Sequence, residues 1–329
     1  MINLTVNLNP KLFDPDIEKV PTRNGFGEGL VLAAEADENV VGLCADLTES
    51  TRMQAFAEKF PDRYFEMGVA EQNLVTVAAG LAKEGKVPFT SSYATFSPGR
   101  NWEQIRTTIC YNNVPVKIIG SHAGLSVGPD GATHQALEDI ALMRALPNMV
   151  VISPADSIEA KKATLAIARL GKPCYLRLSR DKVPIITTEQ SPFEIGKAEV
   201  FYEGGDVTII ATGQMVYRAL QSAKVLKSHK ISVRVINCHT IKPLDKKTIL
   251  QAAQETGAIV TVEEHQVTGG LGGAVAEVLS QNFPVPLKIL GVEDCFGESG
   301  KPDELLEKFG LTKEAIIKAV TSVLRMNGK

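Results

Sequence analysis

Short apolar segments alternate with longer helical ones along most of the chain, and this alternation constrains the fold more than any other feature. In the first half, the predicted strands are residues 40–44, 87–90, 115–120, 149–153 and 173–178. The predicted helices that separate them are residues 26–35, 69–83, 101–111, 134–146 and 157–170. Strands that are apolar throughout and separated by helices are typical of a parallel sheet with both faces covered.

A polar, proline-containing stretch interrupts this pattern before a second series begins. Residues 184–196 contain Pro184, Pro192 and a polar run at 187–191, and we interpret them as a linker. Beyond it, strands are predicted at 206–211, 232–237, 258–263 and 287–291, and helices at 214–228, 245–256, 272–282 and 312–326. We therefore predict an α/β fold with two tandem domains, residues 1–183 and 197–329, each built on a mainly parallel sheet flanked by helices.

Composition excludes several classes of protein. The chain has 329 residues with a formal net charge of −3, and no basic cluster marks a nucleic-acid surface. No apolar run approaches the roughly 20 residues that span a bilayer. The five cysteines are too widely spaced for a C-x-x-C pair, which argues against a zinc site or a disulfide framework. Reduced cysteines are typical of the cytoplasm, so we expect a cytoplasmic enzyme that binds neither nucleic acid nor membrane.

Acidic groups lie in the loop after one predicted strand and in the segment that opens one predicted helix. Open parallel sheets bind ligands at the carboxyl ends of their strands, so these segments are candidate sites. Asp46 and Ser50 follow the strand 40–44, although capping of the next helix would also explain them. Glu71 opens the helix 69–83, which is apolar nearly all round and therefore expected to be buried on most faces. A carboxyl group there must be protonated, paired or hydrogen-bonded, unless it only complements the helix dipole.

A third segment, the loop 121–135, contains two of the five histidines, His122 and His134, with Asp130 between them. Imidazole is the usual proton carrier near neutral pH, so the pair favours a site, although a single histidine is more often structural. Tyr93 and Phe96 follow the strand 87–90 and offer a stacking face for a heteroaromatic ring, with core packing as the alternative.

Arginines supply candidate anion contacts. Arg23, Arg177 and Arg180 carry forked guanidinium groups that suit phosphate or carboxylate, although each could instead form a surface ion pair of little energetic value. The acidic-histidine run at 263–265 and the glycine-rich run at 269–273 are weak signals, and we assign no cofactor to either.

Four motifs occur in the same order as in transketolase, a thiamine diphosphate enzyme. They are DLTES at 46–50, GVAEQ at 68–72, SYATF at 92–96 and DGATHQ at 130–135. Over essentially the whole chain, the sequence resembles the pyrimidine-binding domain plus the C-terminal domain of that family. The family's Gly-Asp-Gly…Asn motif, which holds the metal and the diphosphate, is not found. The resemblance therefore implies the C-terminal subunit of a split transketolase, with a separate N-terminal, diphosphate-binding subunit as partner.

The resemblance also implies how the cofactor is held. Glu71 matches the glutamate that hydrogen-bonds the aminopyrimidine ring and takes part in catalysis. Phe96 matches the aromatic residue that stacks on that ring, Tyr93 lines the same wall, and Asp46 lies near the cofactor. Thiamine diphosphate and Mg²⁺ (or Ca²⁺) are the implied cofactors, with the metal ligands on the partner subunit.

Substrate contacts are implied for the remaining candidates. His122, Asp130 and His134 match residues that bind sugar hydroxyls, and both histidines assist proton transfer. A second cluster matches the residues that grip the distal phosphate of the sugar, namely Arg23, Ser50 and Arg180. The implied reaction moves a two-carbon ketol unit from a ketose phosphate to an aldose phosphate in pentose phosphate metabolism.

Three alternatives stay open. The glutamate segment also fits 1-deoxyxylulose-5-phosphate synthase, which is normally one longer chain, and the β subunit of a 2-oxo acid dehydrogenase has nearly the same layout. A non-catalytic partner subunit is the alternative from another class. Family members are two-fold dimers, so a split enzyme is expected to be an α2β2 heterotetramer, and the C-terminal domain is expected to stabilise the dimer.

Overall fold

Strands and helices alternate along the computed structural model, which describes residues 1–328. The strands are β1 (Lys19–Pro21), β2 (Val40–Cys44), β3 (Tyr64–Glu66), β4 (Val87–Tyr93), β5 (Lys117–Ser121), β6 (Val150–Ile152), β7 (Cys174–Arg177), β8 (Lys182–Pro184), β9 (Glu199–Tyr202), β10 (Val207–Ala211), β11 (Val233–Asn237), β12 (Thr240–Lys242), β13 (Ile259–Gln266) and β14 (Leu287–Val292). The α-helices are α1 (Thr22–Ala36), α2 (Gln54–Lys59), α3 (Glu71–Lys83), α4 (Trp102–Gln104), α5 (Asp139–Arg144), α6 (Ser157–Ala168), α7 (Met215–Ser228), α8 (Lys246–Thr256), α9 (Leu271–Asn282), α10 (Pro302–Lys308) and α11 (Lys313–Met326). Helix α4 continues as a π-helical segment, Ile105–Cys110. None of the helices within residues 1–328 is both long and apolar enough to cross a membrane.

Two mainly parallel sheets organise these elements. The larger sheet has the order β12-β6-β7-β5-β4-β2-β3, and only β12 runs antiparallel to its neighbour. The smaller one has the order β14-β13-β10-β11-β9, with β9 antiparallel. Every residue of β2 and of β10 is buried, which explains why both strands are mostly apolar. The predicted α/β class with mainly parallel sheets is confirmed.

Helix α1 lies unusually close to helix α6, and two glycines allow it. A Cβ atom at Gly25 would lie 1.8 Å from the backbone oxygen of Ser157, and one at Gly29 would lie 2.8 Å from the Cβ of Thr164. Residues four apart lie on the same helix face, so both glycines point at α6. This packing fixes the start of α1, where Arg23 lies.

The two halves of the chain are interleaved in a way that the sequence did not predict. Strand β12 comes from the second half, yet it pairs with β6 and forms one edge of the larger sheet. At the other end, the N–H of Asn3 donates to the backbone oxygen of Phe201 (3.1 Å). Pairing between such distant segments leaves no local signal in the sequence. The domain limits at 183 and 197 stay a prediction.

The predicted helix at 134–146 is wrong over its first residues, because α5 begins only at Asp139. The backbone just before α5 makes hydrogen bonds to other parts of the chain instead. The oxygen of Ala136 accepts the N–H of Gly124 (2.9 Å), and the oxygen of Leu137 accepts the N–H of Gln266 (2.7 Å). These carbonyl groups are therefore not available to start a helix.

Helix α3 exists as predicted but is not buried on most faces. Its first residue, Glu71, is buried, whereas Gln72, Asn73 and Val77 are exposed in the single chain. Just before the helix, Val69 keeps 68% of its surface exposed. An apolar helix with one open side of this kind is typical of a surface that another chain covers.

A buried acidic pair at the start of α6 ties the predicted linker to the first half. Asp156 accepts N–H groups from Glu159 (2.8 Å) and from Thr187 (2.6 Å), a residue of the linker. Glu159 accepts from the N–H of Ala155 (2.6 Å) and from the side chain of Asn237 (2.7 Å). Burial, followed by the nearby charge of Asp156, raises the pKa of Glu159 to about 8.

We expect Glu159→Gln to become increasingly stabilising, relative to the native chain, as the pH rises. An unfolded glutamate loses its proton near its usual value of 4.5, whereas folded Glu159 keeps it to about 8. Between these values the folded state binds one more proton, so the free energy of unfolding falls with rising pH, by up to about 1.4 kcal/mol per pH unit. Glutamine removes this slope, and Asn237 has an unpartnered Oδ1 that can accept the new amide.

Urea unfolding of the native chain and of Glu159→Gln, at the same protein concentration and between about pH 5 and pH 8, measures the two free energies of unfolding. The difference in unfolding free energy is expected to grow across this range. A difference that is constant with pH would contradict the assignment.

Candidate active site

Most of the candidate residues lie at one edge of the larger sheet. Strands β2, β4, β5 and β7 are parallel neighbours, so their carboxyl ends share that edge. The residues that follow these ends are Asp46 and Ser50 after β2, Tyr93 and Phe96 at β4, His122 after β5 and Arg180 after β7. The sheet therefore brings together side chains that are far apart in the sequence.

Two aromatic rings and two imidazoles form a single cluster at this edge. The ring of Tyr93 stacks on that of His122 with a centroid distance of 3.9 Å, and on that of Phe96 at 6.2 Å. His134 lies edge-on to Phe96 at 5.3 Å. Four of the predicted site residues are thus in direct or near contact.

His122 is held as a neutral ring. Its Nε2 atom lies 3.0 Å from Nη1 of Arg23, and because a guanidinium can only donate, Nε2 accepts. The proton is then on Nδ1, which donates to Oγ of Ser121 (2.9 Å). Burial, followed by the charges of Arg23 and Arg180, lowers the pKa of His122 to about 2. In this chain His122 is therefore an oriented, neutral hydrogen-bonding group, and its expected part in proton transfer stays a prediction.

Three arginines make this end of the site cationic; we call Arg23, Arg52 and Arg180 the arginine cluster. Arg23 also donates to the backbone oxygen of Ser50 (2.7 Å), and Arg180 to that of Val127 (2.8 Å). Burial and then the charges of Arg52 and Arg180 hold the pKa of Arg23 below its usual value. Such crowding of like charge is costly unless an anion relieves it.

The sequence analysis missed Arg52. Its backbone has φ of +66°, and its Nε donates to Oδ1 of Asn24 (3.0 Å). Arg52 lies two residues after Ser50 in the same loop, and this closeness to a predicted site residue could have identified it.

Glu71 is linked to the aromatic cluster through Arg100. It is 3% exposed, and its carboxylate accepts from the hydroxyl of Ser92 (3.1 Å) and pairs with Nη1 of Arg100 (3.3 Å). The guanidinium carbon of Arg100 also lies 4.0 Å from the centroid of the Phe96 ring. Arg100 is thus the partner that the buried Glu71 was expected to need. The sequence did not predict Arg100, because the two residues are 29 positions apart and no local pattern links them.

Two predicted acidic residues lie on the surface. Asp46 is exposed with φ of +57°, and its N–H donates to Oε1 of Glu66 (2.8 Å). Glu66, also missed, accepts the N–H of Gly68 as well (2.9 Å). Burial disfavours its charge, but these N–H groups hold the pKa of Glu66 below its usual value. Asp130 is exposed and makes no hydrogen bond or ion pair to the other candidates within the part of the chain that the structure describes.

Arg177 lies in the interior, away from the arginine cluster. Its Nε pairs with Oδ2 of Asp139 (2.8 Å), and its Nη2 donates to the backbone oxygen of Glu264 (2.9 Å). Burial opposes the charge of Asp139, but Arg177 keeps the pKa of Asp139 below its usual value. Arg177 is therefore a structural residue and not an anion ligand.

The donor set fits one part of thiamine diphosphate. Glu71 and Phe96 together hold a planar, nitrogen-bearing group, the guanidinium of Arg100, by one hydrogen-bonded ion pair and one ring face. An aminopyrimidine is also planar and can use both contacts. By contrast, residues 1–328 contain no cluster of three or more His, Cys, Asp or Glu side chains that could hold a metal ion.

Two protein-family descriptions match the chain. "Transketolase, pyrimidine binding domain" matches residues 18–185, and "Transketolase, C-terminal domain" matches residues 196–316. The chain belongs to the transketolase family. The predicted resemblance is thereby confirmed, as is the pairing of these two kinds of domain.

Similar transketolase-family proteins have nearly the same extent. The putative transketolase C-terminal section of Methanocaldococcus jannaschii is 46% identical over 92% of this chain and 96% of that protein. The 6-deoxy-6-sulfo-D-fructose transketolase subunit SqwH of Clostridium sp. is 42% identical over 94% of this chain and 97% of its own. A solved structure described as a split gene transketolase, inactive beta4 tetramer, has 46% identity and a TM-score of 0.88, over 94% of this chain and 99% of its own.

We expect the Glu71–Arg100 pair to show measurable energetic coupling. Arg100→Ala leaves a buried carboxylate with only the Ser92 hydroxyl, and we expect it to destabilise the chain by about 1–2 kcal/mol. In a Glu71→Gln background the same change should cost less than about half as much, because no buried charge is left unpaired. Urea unfolding of the two single variants and the double variant measures the coupling, and strictly additive effects would contradict it.

Proposed function

We propose that this transketolase-family chain is the C-terminal subunit of a two-chain, thiamine diphosphate-dependent transketolase. It transfers a two-carbon ketol unit from a ketose phosphate to an aldose phosphate. The observation that carries the proposal is that Glu71 and Phe96 both contact the guanidinium of Arg100. When bound, thiamine diphosphate supplies the electron sink that breaking and making the carbon–carbon bond requires.

Glu71 and Phe96 hold the aminopyrimidine in this proposal. The buried carboxyl group would share a proton with a ring nitrogen, and the Phe96 ring would stack on the pyrimidine face beside Tyr93. Arg100 makes both contacts in the isolated chain, and its side chain is 51% exposed, so it has room to swing toward solvent. Asp46 borders the cofactor from the neighbouring strand end.

The imidazoles and arginines act on the sugar. Neutral His122 orients a hydroxyl group, while half-buried His134 passes a proton to and from the substrate oxygen. Asp130 binds a sugar hydroxyl from the loop that carries both histidines. Arg23, Arg180 and the Ser50 segment grip the distal phosphate, and we add Arg52 to that set because its charge acts on Arg23.

A separate N-terminal subunit completes the active site. This subunit supplies the diphosphate contacts and the ligands for Mg²⁺ (or Ca²⁺), for which this sequence has no matching motif. The exposed side of α3, with Val77 at 36% and nearby Val69 at 68% exposed, is a surface that another chain would cover. We propose an α2β2 heterotetramer located in the cytoplasm.

The phosphate tail is our choice between two anions of similar geometry. One relative is named as a 6-deoxy-6-sulfo-D-fructose transketolase subunit, and this name specifies a sulfonated sugar. An arginine cluster binds sulfonate as well as phosphate. We choose phosphate because its second negative charge better offsets three arginines.

We expect ketol transfer only from the assembled pair, and we expect Glu71→Gln to reduce kcat by at least about 100-fold. The reason is that a glutamine cannot exchange a proton with the cofactor ring. The assay uses xylulose 5-phosphate and ribose 5-phosphate with thiamine diphosphate and Mg²⁺. The chain is tested alone and with its diphosphate-binding partner subunit, and Glu84→Gln, at the exposed C-terminal end of α3, serves as the matched control.

Full turnover by the purified chain alone would contradict the split-site proposal. Unchanged turnover in Glu71→Gln would contradict the role of this glutamate and favour a non-catalytic subunit. Activity of the pair with pyruvate in place of the ketose phosphate would contradict ketol transfer and favour the synthase or dehydrogenase alternative.

We expect Arg52→Gln to raise KM for ribose 5-phosphate by about 10-fold, as the loss of one charge-assisted phosphate contact predicts. KM for the unphosphorylated acceptor glycolaldehyde should not change. Steady-state kinetics with both acceptors measures this, and Arg169→Gln, at the exposed end of α6, is the control. Equal effects on both acceptors would show that Arg52 does not read the phosphate.

A further inference from the structure

The loop that carries both histidines rests on the C-terminal half of the chain. Gln135 donates from Nε2 to the backbone oxygen of Glu298 (2.9 Å), and the N–H of Gln266 donates to Leu137 just after the loop (2.7 Å). The loop 121–135 is thus held by residues far from it in sequence. A side chain at the centre of this contact, Glu264 on β13, is not accounted for by the function proposed above.

Glu264 is 4% exposed, and its carboxylate is directed at the loop. One oxygen accepts the N–H of Ser126 (2.6 Å), and the other lies 3.3 Å from the Ser126 hydroxyl. The side-chain amide of Gln214 donates to the same carboxylate and to Oγ of Ser126 (2.9 Å). The carboxylate, the amide and the hydroxyl form a closed triangle around Ser126.

A glycine in the loop allows this approach. Gly124 has φ of +88°, and a Cβ atom there would lie 2.4 Å from the carboxyl carbon of Glu264. Any other residue at 124 would therefore push the carboxylate away. Gly124 stands two residues after His122 and two before Ser126, so the contact lies within a few residues of a site imidazole.

Backbone contacts link the same segment to the arginine cluster. Val127, the residue after Ser126, accepts Nη1 of Arg180 through its backbone oxygen (2.8 Å). Arg177 donates to the backbone oxygen of Glu264 (2.9 Å), which fixes the start of the carboxylate-bearing side chain. Burial raises the pKa of the Glu264 carboxyl, and the Arg177 charge and the Ser126 N–H oppose that rise.

We propose that Glu264 is a positioning residue through which the C-terminal half holds the loop 121–135, and with it His122 and the Arg180 contact, in the geometry for ketol transfer. The proposal rests on the function proposed above. It gives the C-terminal half a direct part in the site, beyond the stabilising role expected from the sequence.

Glu264→Gln tests the proposal with little change of shape. Glutamine keeps one oxygen acceptor and replaces the other with an NH₂ donor. That NH₂ group must face either the Ser126 N–H or the Gln214 amide, and both of these are also donors. We expect kcat of the assembled enzyme to fall by about 10-fold to 100-fold, while KM for thiamine diphosphate is unchanged. Amide hydrogen exchange in 121–135 should accelerate by at least about 10-fold.

An exchange of partners provides the rescue. In Glu264→Gln combined with Gln214→Glu, the glutamine oxygen accepts from Ser126 and its amide donates to the new carboxylate. This double variant should recover most of kcat and the slow amide exchange. Glu293→Gln, an exposed residue of the same half, is the control and should change neither quantity.

The outcomes separate this proposal from the function on which it rests. Faster exchange in the loop with unchanged kcat, or no rescue by the double variant, would overturn the positioning role. If the native pair shows no ketol transfer, the proposed function fails, whereas loop exchange in the variants still tests whether Glu264 holds the loop. Unchanged exchange in Glu264→Gln would overturn the proposal outright.

Discussion

Parallel pairing of β2, β4, β5 and β7 is the constraint on which the rest of the site depends. These strands bring positions 46, 93, 122 and 180 to one edge of a sheet although more than a hundred residues separate the first from the last. A slip of one residue in any of them would turn its side chains to the other face. Because β2, β5 and β7 are buried along their whole length, packing on both sides fixes this register.

Charge is divided between two groups of side chains in the site. One contains the buried carboxyl group of Glu71 with Arg100, and the other is the arginine cluster beside a neutral His122. Burial, followed by the charges of Arg23 and Arg180, lowers the pKa of His122 and disfavours its imidazolium form. A nitrogen heterocycle held at Glu71 and a separate substrate with an anionic tail at the arginine cluster would together satisfy both. This polarity is the physical basis of the proposed function.

Much of the fold could be predicted from the sequence because most of its buried strands are rich in apolar residues and its helices are periodic. What could not be predicted depends on contacts between distant residues. The addition of β12 to the larger sheet and the late start of α5 at Asp139 both arise from hydrogen bonds across the chain. The site shows the same limit. Motif residues such as Glu71 and His122 could be named, but Arg100 was missed and the contacts of Glu264 could not be predicted, because both depend on neighbours in space.

The central claim is that this chain provides only part of a thiamine diphosphate site. Isothermal titration of thiamine diphosphate with Mg²⁺ into the chain, into the diphosphate-binding partner subunit and into their mixture tests it most directly. The account predicts binding by the mixture at least about 100-fold tighter than by either subunit, and weakened by Glu71→Ala on this chain. Equally tight binding by this chain alone would contradict the account.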